Sequence, residues 1–269
     1  MRGRESGKAM KSLSGKKILV TGATGGFGSE FARQLHGLGA HLILSGRDQS
    51  KLDAISGTLG PSPSGGKVIG TIKADLSNRA GCEELYAGCT AITTGLDVLI
   101  NNAGIIAYGD FHQVPLDTWE RLMETNLLAA MRLTYLFLPA MLKRKQGHIV
   151  LMSSVAGFVG TRNSTAYSAS KFGLRGFGLS LYGEVHPRGI DVTMLYPFWA
   201  DTPILQSKDY GSKSTDKVIR AVVDRADDVV RESIAGIRKN KLSVYPGPVA
   251  KVLHLANKVI QIRGSQRKG

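Results

Sequence analysis

Cysteine is scarce in this 269-residue chain, at two residues, Cys82 and Cys89. They are too far apart for a CxxC pair and no secretory signal accompanies them. A disulfide framework is therefore not expected, and both read as ordinary thiols. No run approaches the roughly 20 apolar residues of a membrane-spanning helix. The start, "MRGRESGKAMKSLSGKK", is basic without an apolar core and is not a secretory signal as written. The six histidines show no metal-ligand spacing, so no metal is expected. Acidic residues are missing from one whole stretch. Residues 238–269 hold eight basic groups (Arg238, Lys239, Lys241, Lys251, Lys258, Arg263, Arg267, Lys268) and no acid, and residues 1–17 hold six (Arg2, Arg4, Lys8, Lys11, Lys16, Lys17) against Glu5. Thirteen of the fourteen net positive charges thus sit at the two ends, and the body between them is nearly neutral. Despite the pI near 9.9 there is no helix-turn-helix, zinc or RNA-motif signature, which argues against a nucleic-acid binder.

What is present suits one α/β domain, with 42% hydrophobic residues and enough apolar material for a core. Short apolar runs at 17–22, 41–46, 67–75, 97–101, 148–153 and 190–197 read as buried strands, with a seventh at 241–246. Each is closed by Gly, Asp, Asn or Pro, and the intervening segments, such as 28–39 and 116–145, are long enough for crossover helices. The expectation is a doubly wound, Rossmann-type, mostly parallel seven-stranded sheet in a single domain.

The first strand runs into "TGATGGFG", with Gly22, Gly26 and Gly28 at a strand-to-helix turn. Glycines without a Cβ let the backbone approach a pyrophosphate, and the N–H groups of the following helix face that anion. The second strand ends in "LSGRD". Where an acid would hold the ribose hydroxyls of NAD stands Gly46, followed by Arg47, whose guanidinium suits a 2′-phosphate. NADP is therefore favoured over NAD. The competing reading has Arg47 solvated and Asp48 on the ribose, but Asp48 comes two positions late.

In "TAYSASKFG", Tyr167 and Lys171 lie one helical turn apart with small residues around them. Packing of a snorkelled pair is one explanation. Acid catalysis by a phenol is the other. "SSVAG" places Ser154 thirteen positions before Tyr167, "METNLLAA" puts Asn126 in a helix, and "INNAG" closes the fourth strand. Together with Asp75 in "ADL", these elements stand in an order that closely resembles the classical short-chain dehydrogenase/reductase family over about 18 to 203.

That resemblance implies a nicotinamide dinucleotide held by Gly22, Thr24, Gly25, Gly26, Phe27, Gly28, Arg47, Asp75, Leu76, Asn102, Ala103, Gly104, Tyr167, Lys171 and Thr202. It implies Tyr167 as proton donor, Ser154 on the substrate oxygen, and Lys171 gripping the nicotinamide ribose and lowering the phenol's pKa. Asn126 would anchor a water in a proton relay. Ser153 rivals Ser154, but the thirteen-residue spacing favours the latter. Small Ser168, Ala169 and Ser170 are expected to let the cofactor lie close.

The match frays after the sixth strand, where "YPFWADTPIL" has Phe198 in the place of a family glycine, leaving the local backbone path open to doubt. Phe198 and Trp199, with Phe158, Ile204 and Leu205, either line an apolar substrate slot or pack the base of a lid. The tail carries apolar residues at 249, 252, 253, 256, 259 and 260 with Lys251, His254, Lys258 and Gln261 opposite. Core packing, a membrane-surface helix and a subunit contact all fit that stripe.

The organisation expected is a basic extension over 1–16, a catalytic domain over 17–247 with a lid region at 197–235, and a basic amphipathic tail over 248–269. The function expected is NADP(H)-dependent reduction of a hydrophobic ketone, such as a keto-lipid, acyl ketone or steroid-like compound, or oxidation of the matching alcohol. A non-catalytic NADPH-binding sensor or scaffold is the alternative. A cytoplasmic homodimer or homotetramer is expected, with peripheral contact to anionic membrane through the basic ends.

Overall fold

The structure, a computed structural model, describes residues 12–211 and 223–266, the last nine as backbone only. Of the expected lid, residues 212–222 lie outside the described residues, as do the charges at Arg2, Arg4, Lys8, Lys11, Arg267 and Lys268. β1 (Lys17–Thr21), α1 (Gly26–Gly37), β2 (His41–Gly46), α2 (Gln49–Thr58), β3 (Lys67–Lys73), α3 (Arg79–Ile92) and β4 (Val98–Asn101) follow the apolar runs closely. After a short β5 (Tyr108–Gly109), one continuous helix is built from α4 (Leu116–Met123), a π-helical turn (Glu124–Leu128) and α5 (Ala129–Arg144). Next come β6 (Gly147–Met152), α6 (Thr165–Val185), β7 (Ile190–Leu195), β8 (Asp209–Tyr210), α7 (Ala226–Arg238), β9 (Ser243–Val244) and α8 (Pro248–Gln266).

The main sheet is seven-stranded in the order β3-β2-β1-β4-β6-β7-β9, with every pairing parallel. Alternate residues of each strand point to opposite faces, so the apolar runs feed two cores. Ile18, Val20, Leu42, Leu44, Val98 and Ile100 pack with Phe31 and Leu35 of α1 and Ile234 and Ile237 of α7. Leu19, Ile43, Leu99, Ile149 and Leu151 pack with Leu85, Leu133, Phe137 and Leu174 on the other face. Burying each such side chain contributes about 1.5–3 kcal/mol. The order reverses at β1, which pairs with β2 on one side and β4 on the other. Ligands of such sheets bind in the crevice beyond the strand ends at this reversal.

The helix over Leu116–Arg144 is long enough to cross a membrane, and its most apolar 18-residue window has a mean hydropathy of 1.2. Its Leu122, Leu133, Phe137 and Met141 are nevertheless buried in the protein. A second sheet that no hydrophobic pattern announced joins β5 to β8, Tyr108 opposite Asp209 and Gly109 opposite Tyr210.

The tail helix buries only part of its apolar stripe, with Leu253 packed against the core. Val252 and Leu255 are 63% and 61% exposed, whereas Ala250 is buried. His254, expected on the polar face, turns inward and stacks on Tyr245 at 3.7 Å between ring centroids. The side chains at 258–261 lie outside those described.

Candidate active site

The crevice is a cavity of about 380 Å³ that runs from the first β-turn to the start of α6. At one end lie Gly22, Thr24, Gly25, Gly26, Phe27 and Gly28. Gly22 has φ +63°, and a Cβ there would come within 2.9 Å of the Ala103 Cα, so the turn and the loop after β4 touch backbone to backbone. Gly25 caps α1 without any side-chain hydrogen bond, which leaves the first-turn N–H groups for an anion. Asn102, Ala103 and Gly104 form the adjoining wall. Thr21, which the motif reading passed over, pins them. Its hydroxyl donates to the Ile100 carbonyl at 3.2 Å and accepts the N–H groups of Asn102 and Ala103 at 3.0 Å. The Asn102 amide donates to the Thr21 carbonyl at 2.9 Å. The signal available in sequence was a hydroxyl residue directly before the first glycine.

Arg47, Asp75 and Leu76 line the same end. Asp48 does not: it caps α2, accepting from the Lys51 N–H at 3.2 Å and the Ser50 hydroxyl at 2.6 Å. Its Oδ1 is thus committed to its own helix, and the residue is not part of the cavity wall. Burial raises the Asp75 carboxyl, but hydrogen bonds from Ser77 and the charges of Arg121 and Arg47 leave it below the ordinary carboxylate range.

At the other end α6 brings Tyr167 and Lys171 to the cavity, and Ser154 faces them from the turn after β6. Lys171 is buried, and its ammonium donates to the Met152 carbonyl at 2.7 Å and lies 5.4 Å from the Tyr167 ring centroid. The Ser154 hydroxyl donates weakly to the Pro197 carbonyl at 3.4 Å and accepts the Ala156 N–H. Ser153 donates instead to the Lys171 carbonyl, which fixes α6 rather than a substrate. Burial pushes the Tyr167 phenol up to about 12, with the Ser154 hydroxyl pulling the other way, and burial pulls Lys171 down to about 8. Desolvation is thus the largest influence on both groups in the protein alone.

Several expectations are corrected. Phe158 does not line the cavity. It is buried in an aromatic cluster, edge-on to Tyr196 and Tyr245 at 5.7 and 5.8 Å and close to His254. Leu205 is likewise not part of the cavity wall, whereas Phe198, Trp199 and Ile204 are. Phe198 adopts no positive φ, so the position does not demand glycine. Thr202 reaches the cavity, packing against Gly26 and donating to the Ala200 carbonyl at 3.2 Å.

Ser168, Ala169 and Ser170 of α6 are not part of the cavity wall. Ser168 is buried against Thr161, and Ser170 donates to the Tyr167 carbonyl at 2.7 Å and accepts from the Asn126 amide at 3.2 Å. Asn126 itself sits behind the wall. On the π-helical turn its side chain accepts the Ile105 N–H at 2.8 Å and donates to the Ile105 carbonyl at 2.9 Å, clamping the 102–107 loop to α6. An extra residue in the helical turn is what points Asn126 inward.

One cavity thus joins an uncapped helix N-terminus, a glycine cradle that a Cβ would fill, a guanidinium at the β2 end and a Ser–Tyr–Lys cluster. That donor set fits a nicotinamide dinucleotide. The family model for short chain dehydrogenases matches residues 16–212. Nodulation protein G of Rhizobium sp. (strain N33) is 33% identical over 241 residues, covering 88% of this chain and 95% of that protein. Among solved structures, a short-chain dehydrogenase from Sphingobium yanoikuyae in complex with NADPH is 27% identical with a TM-score of 0.79, over 94% of both chains. A short chain dehydrogenase/reductase from Burkholderia phymatum in complex with NAD, 24% identical over 94% of this chain and 96% of its own, shares the fold with a TM-score of 0.81. The chain belongs to the short-chain dehydrogenase/reductase family, oxidoreductases that act on CH–OH and C=O groups.

Proposed function

We propose that this protein is an NADP(H)-dependent carbonyl reductase, or alcohol dehydrogenase in reverse, for a hydrophobic ketone or secondary alcohol. The observation that carries the reading is the meeting of Ser154, Tyr167 and Lys171 in a cavity whose far end is lined by Arg47 and by no carboxylate at the β2 terminus. The first glycine turn and the α1 N-terminus would hold the pyrophosphate, Arg47 the 2′-phosphate, and Lys171 the nicotinamide ribose. Bound there, the cofactor supplies the hydride. Ser154 holds the ketone oxygen by a hydrogen bond, and Tyr167 gives its phenolic proton to that oxygen. A phenol that remains protonated at neutral pH is in the right form for reduction. Phe198, Trp199 and Ile204 on the wall favour an apolar substrate.

A panel of ketones and alcohols of graded chain length, followed at the NADPH absorbance band, tests the reading. Turnover that rises with apolar length supports it. NADPH binding with no turnover on any member would leave the non-catalytic sensor or scaffold instead.

The same reading extends to assembly. Met131 and Tyr135 on α5 and Phe172 and Leu179 on α6 are exposed, Tyr135 to 77%, which supports a homo-oligomer formed through that face. On α8 the exposed Val252 and Leu255 flank Lys251, which supports contact with anionic membrane, although Lys251 also pairs with Glu232 at 2.7 Å.

A further inference from the structure

The loop that forms the cavity wall after β4 ends in Tyr108, and this phenol has no part in the cofactor site or the proton transfer. Its backbone is held from three sides. The Tyr108 N–H donates to the Lys208 carbonyl at 3.2 Å, the Gly109 N–H donates to the Asn163 carbonyl at 2.9 Å, and β5 pairs with β8. Gly109 has φ +142°, and a Cβ there would press on the Tyr210 carbonyl at 2.6 Å, so the strand pair is closed tightly. Three segments, 105–109, 161–164 and 207–211, are thus tied together beside the reactive residues. The ring they position is 7% exposed and leans on Trp199, a cavity-wall residue, at 5.8 Å between centroids. Its hydroxyl is buried and has no hydrogen-bond partner among the described residues. Burial raises this phenol, and the neighbouring Tyr167 and Asp209 add to the rise.

A buried hydroxyl without a partner is costly unless something meets it, and native structures rarely leave one so without a reason. Catalytic sites use such groups for selection: a ligand that completes the hydrogen bond is favoured over an isostere that cannot. We propose that Tyr108, which stands behind Trp199 and outside the cavity wall, is a specificity-determining residue whose phenol donates a hydrogen bond to a second oxygen of the substrate reached past Trp199. The substrate class narrows from an apolar ketone to an apolar ketone carrying a neighbouring ether, ester, hydroxyl or keto oxygen. This rests on the reductase reading and adds to it the partner of one further side chain.

The test compares a 3-alkoxy ketone with its all-carbon isostere, a pair of nearly equal size and carbonyl reactivity, using wild-type protein and Tyr108→Phe with NADPH. In wild type, kcat/KM should favour the alkoxy ketone. In the variant, that preference should shrink by roughly three- to tenfold, the worth of one neutral hydrogen bond. NADPH fluorescence titration and the melting temperature provide the control, since a mere loss of structure would depress both substrates and shift both controls. A preference that survives intact in Tyr108→Phe would overturn the assignment, as would a wild-type enzyme that reduces the two ketones equally well. Wild-type protein that binds NADPH but reduces neither would instead overturn the reductase reading on which the assignment stands.

Discussion

Replacing Tyr167 by Phe keeps the ring in its partly buried seat and deletes a single oxygen. Little structure is at risk, because the phenol's neighbour is the Ser154 hydroxyl, which also accepts the Ala156 N–H, and the ring's contact with Lys171 is 5.4 Å from centroid to ammonium. The chemical loss is large. A positioned acid or base accounts for roughly 10²–10⁴ in rate, or about 3–5 kcal/mol of barrier. Tyr167→Phe should therefore bind NADPH with near wild-type affinity by fluorescence quenching, yet reduce a good ketone at least a hundredfold more slowly. The pH dependence gives a second reading. With the phenol at about 12 in the protein alone, the acid form prevails across the physiological range, so reduction should be insensitive to it near pH 7. Alcohol oxidation needs the base form, whose fraction rises about tenfold per pH unit below the pKa. Oxidation should climb with pH in wild type, and the climb should vanish in the Phe variant. A variant that retains a third of wild-type reduction, or keeps the same oxidation profile, would refute Tyr167 as the proton carrier.

Arg47→Ala should weaken NADPH by about 1.5–3 kcal/mol, the worth of a charge-assisted hydrogen bond, and leave NADH nearly unchanged; equal weakening of both, measured by titration, would mean Arg47 does not read the 2′-phosphate. His148 is fully buried with its Nε2 at 2.8 Å from the Thr193 hydroxyl, and burial lowers it to about 4 from an ordinary 6.5. The unfolded chain takes up that proton first, so stability should fall as pH drops from 6.5 to 4, by about 3 kcal/mol in urea titrations. His148→Gln should flatten that part of the slope, and an unchanged slope would assign acid sensitivity elsewhere. Co-sedimentation with anionic vesicles at low salt should fall when Val252 and Leu255 are both changed to Ser, and wild-type protein left in the supernatant would end the membrane reading.

The strand positions, the parallel sheet and the ordered glycine, Asn, Ser, Tyr and Lys elements were legible in the chain itself. Strands buried on both faces write themselves as short apolar runs, and a phosphate-binding turn needs glycine at particular steps. Asp48 and Phe198 mark the boundary of that legibility. Either was compatible with two roles until the α2 cap claimed the first and an ordinary backbone angle accommodated the second. The direction of individual side chains belonged to tertiary structure alone. Phe158 faces an aromatic cluster instead of the cavity, His254 stacks inward from the nominal polar side of α8, and Ser170 joins Asn126 in clamping the loop at Ile105. The pairing of β5 with β8, which seats Tyr108 beside Trp199, joins residues about a hundred positions apart through two-residue strands too short to carry a pattern. Periodicity reports that a residue is apolar or on one side of an element. Which partner it meets there depends on how the elements roll and pack against one another, and that competition is decided only when the whole core closes.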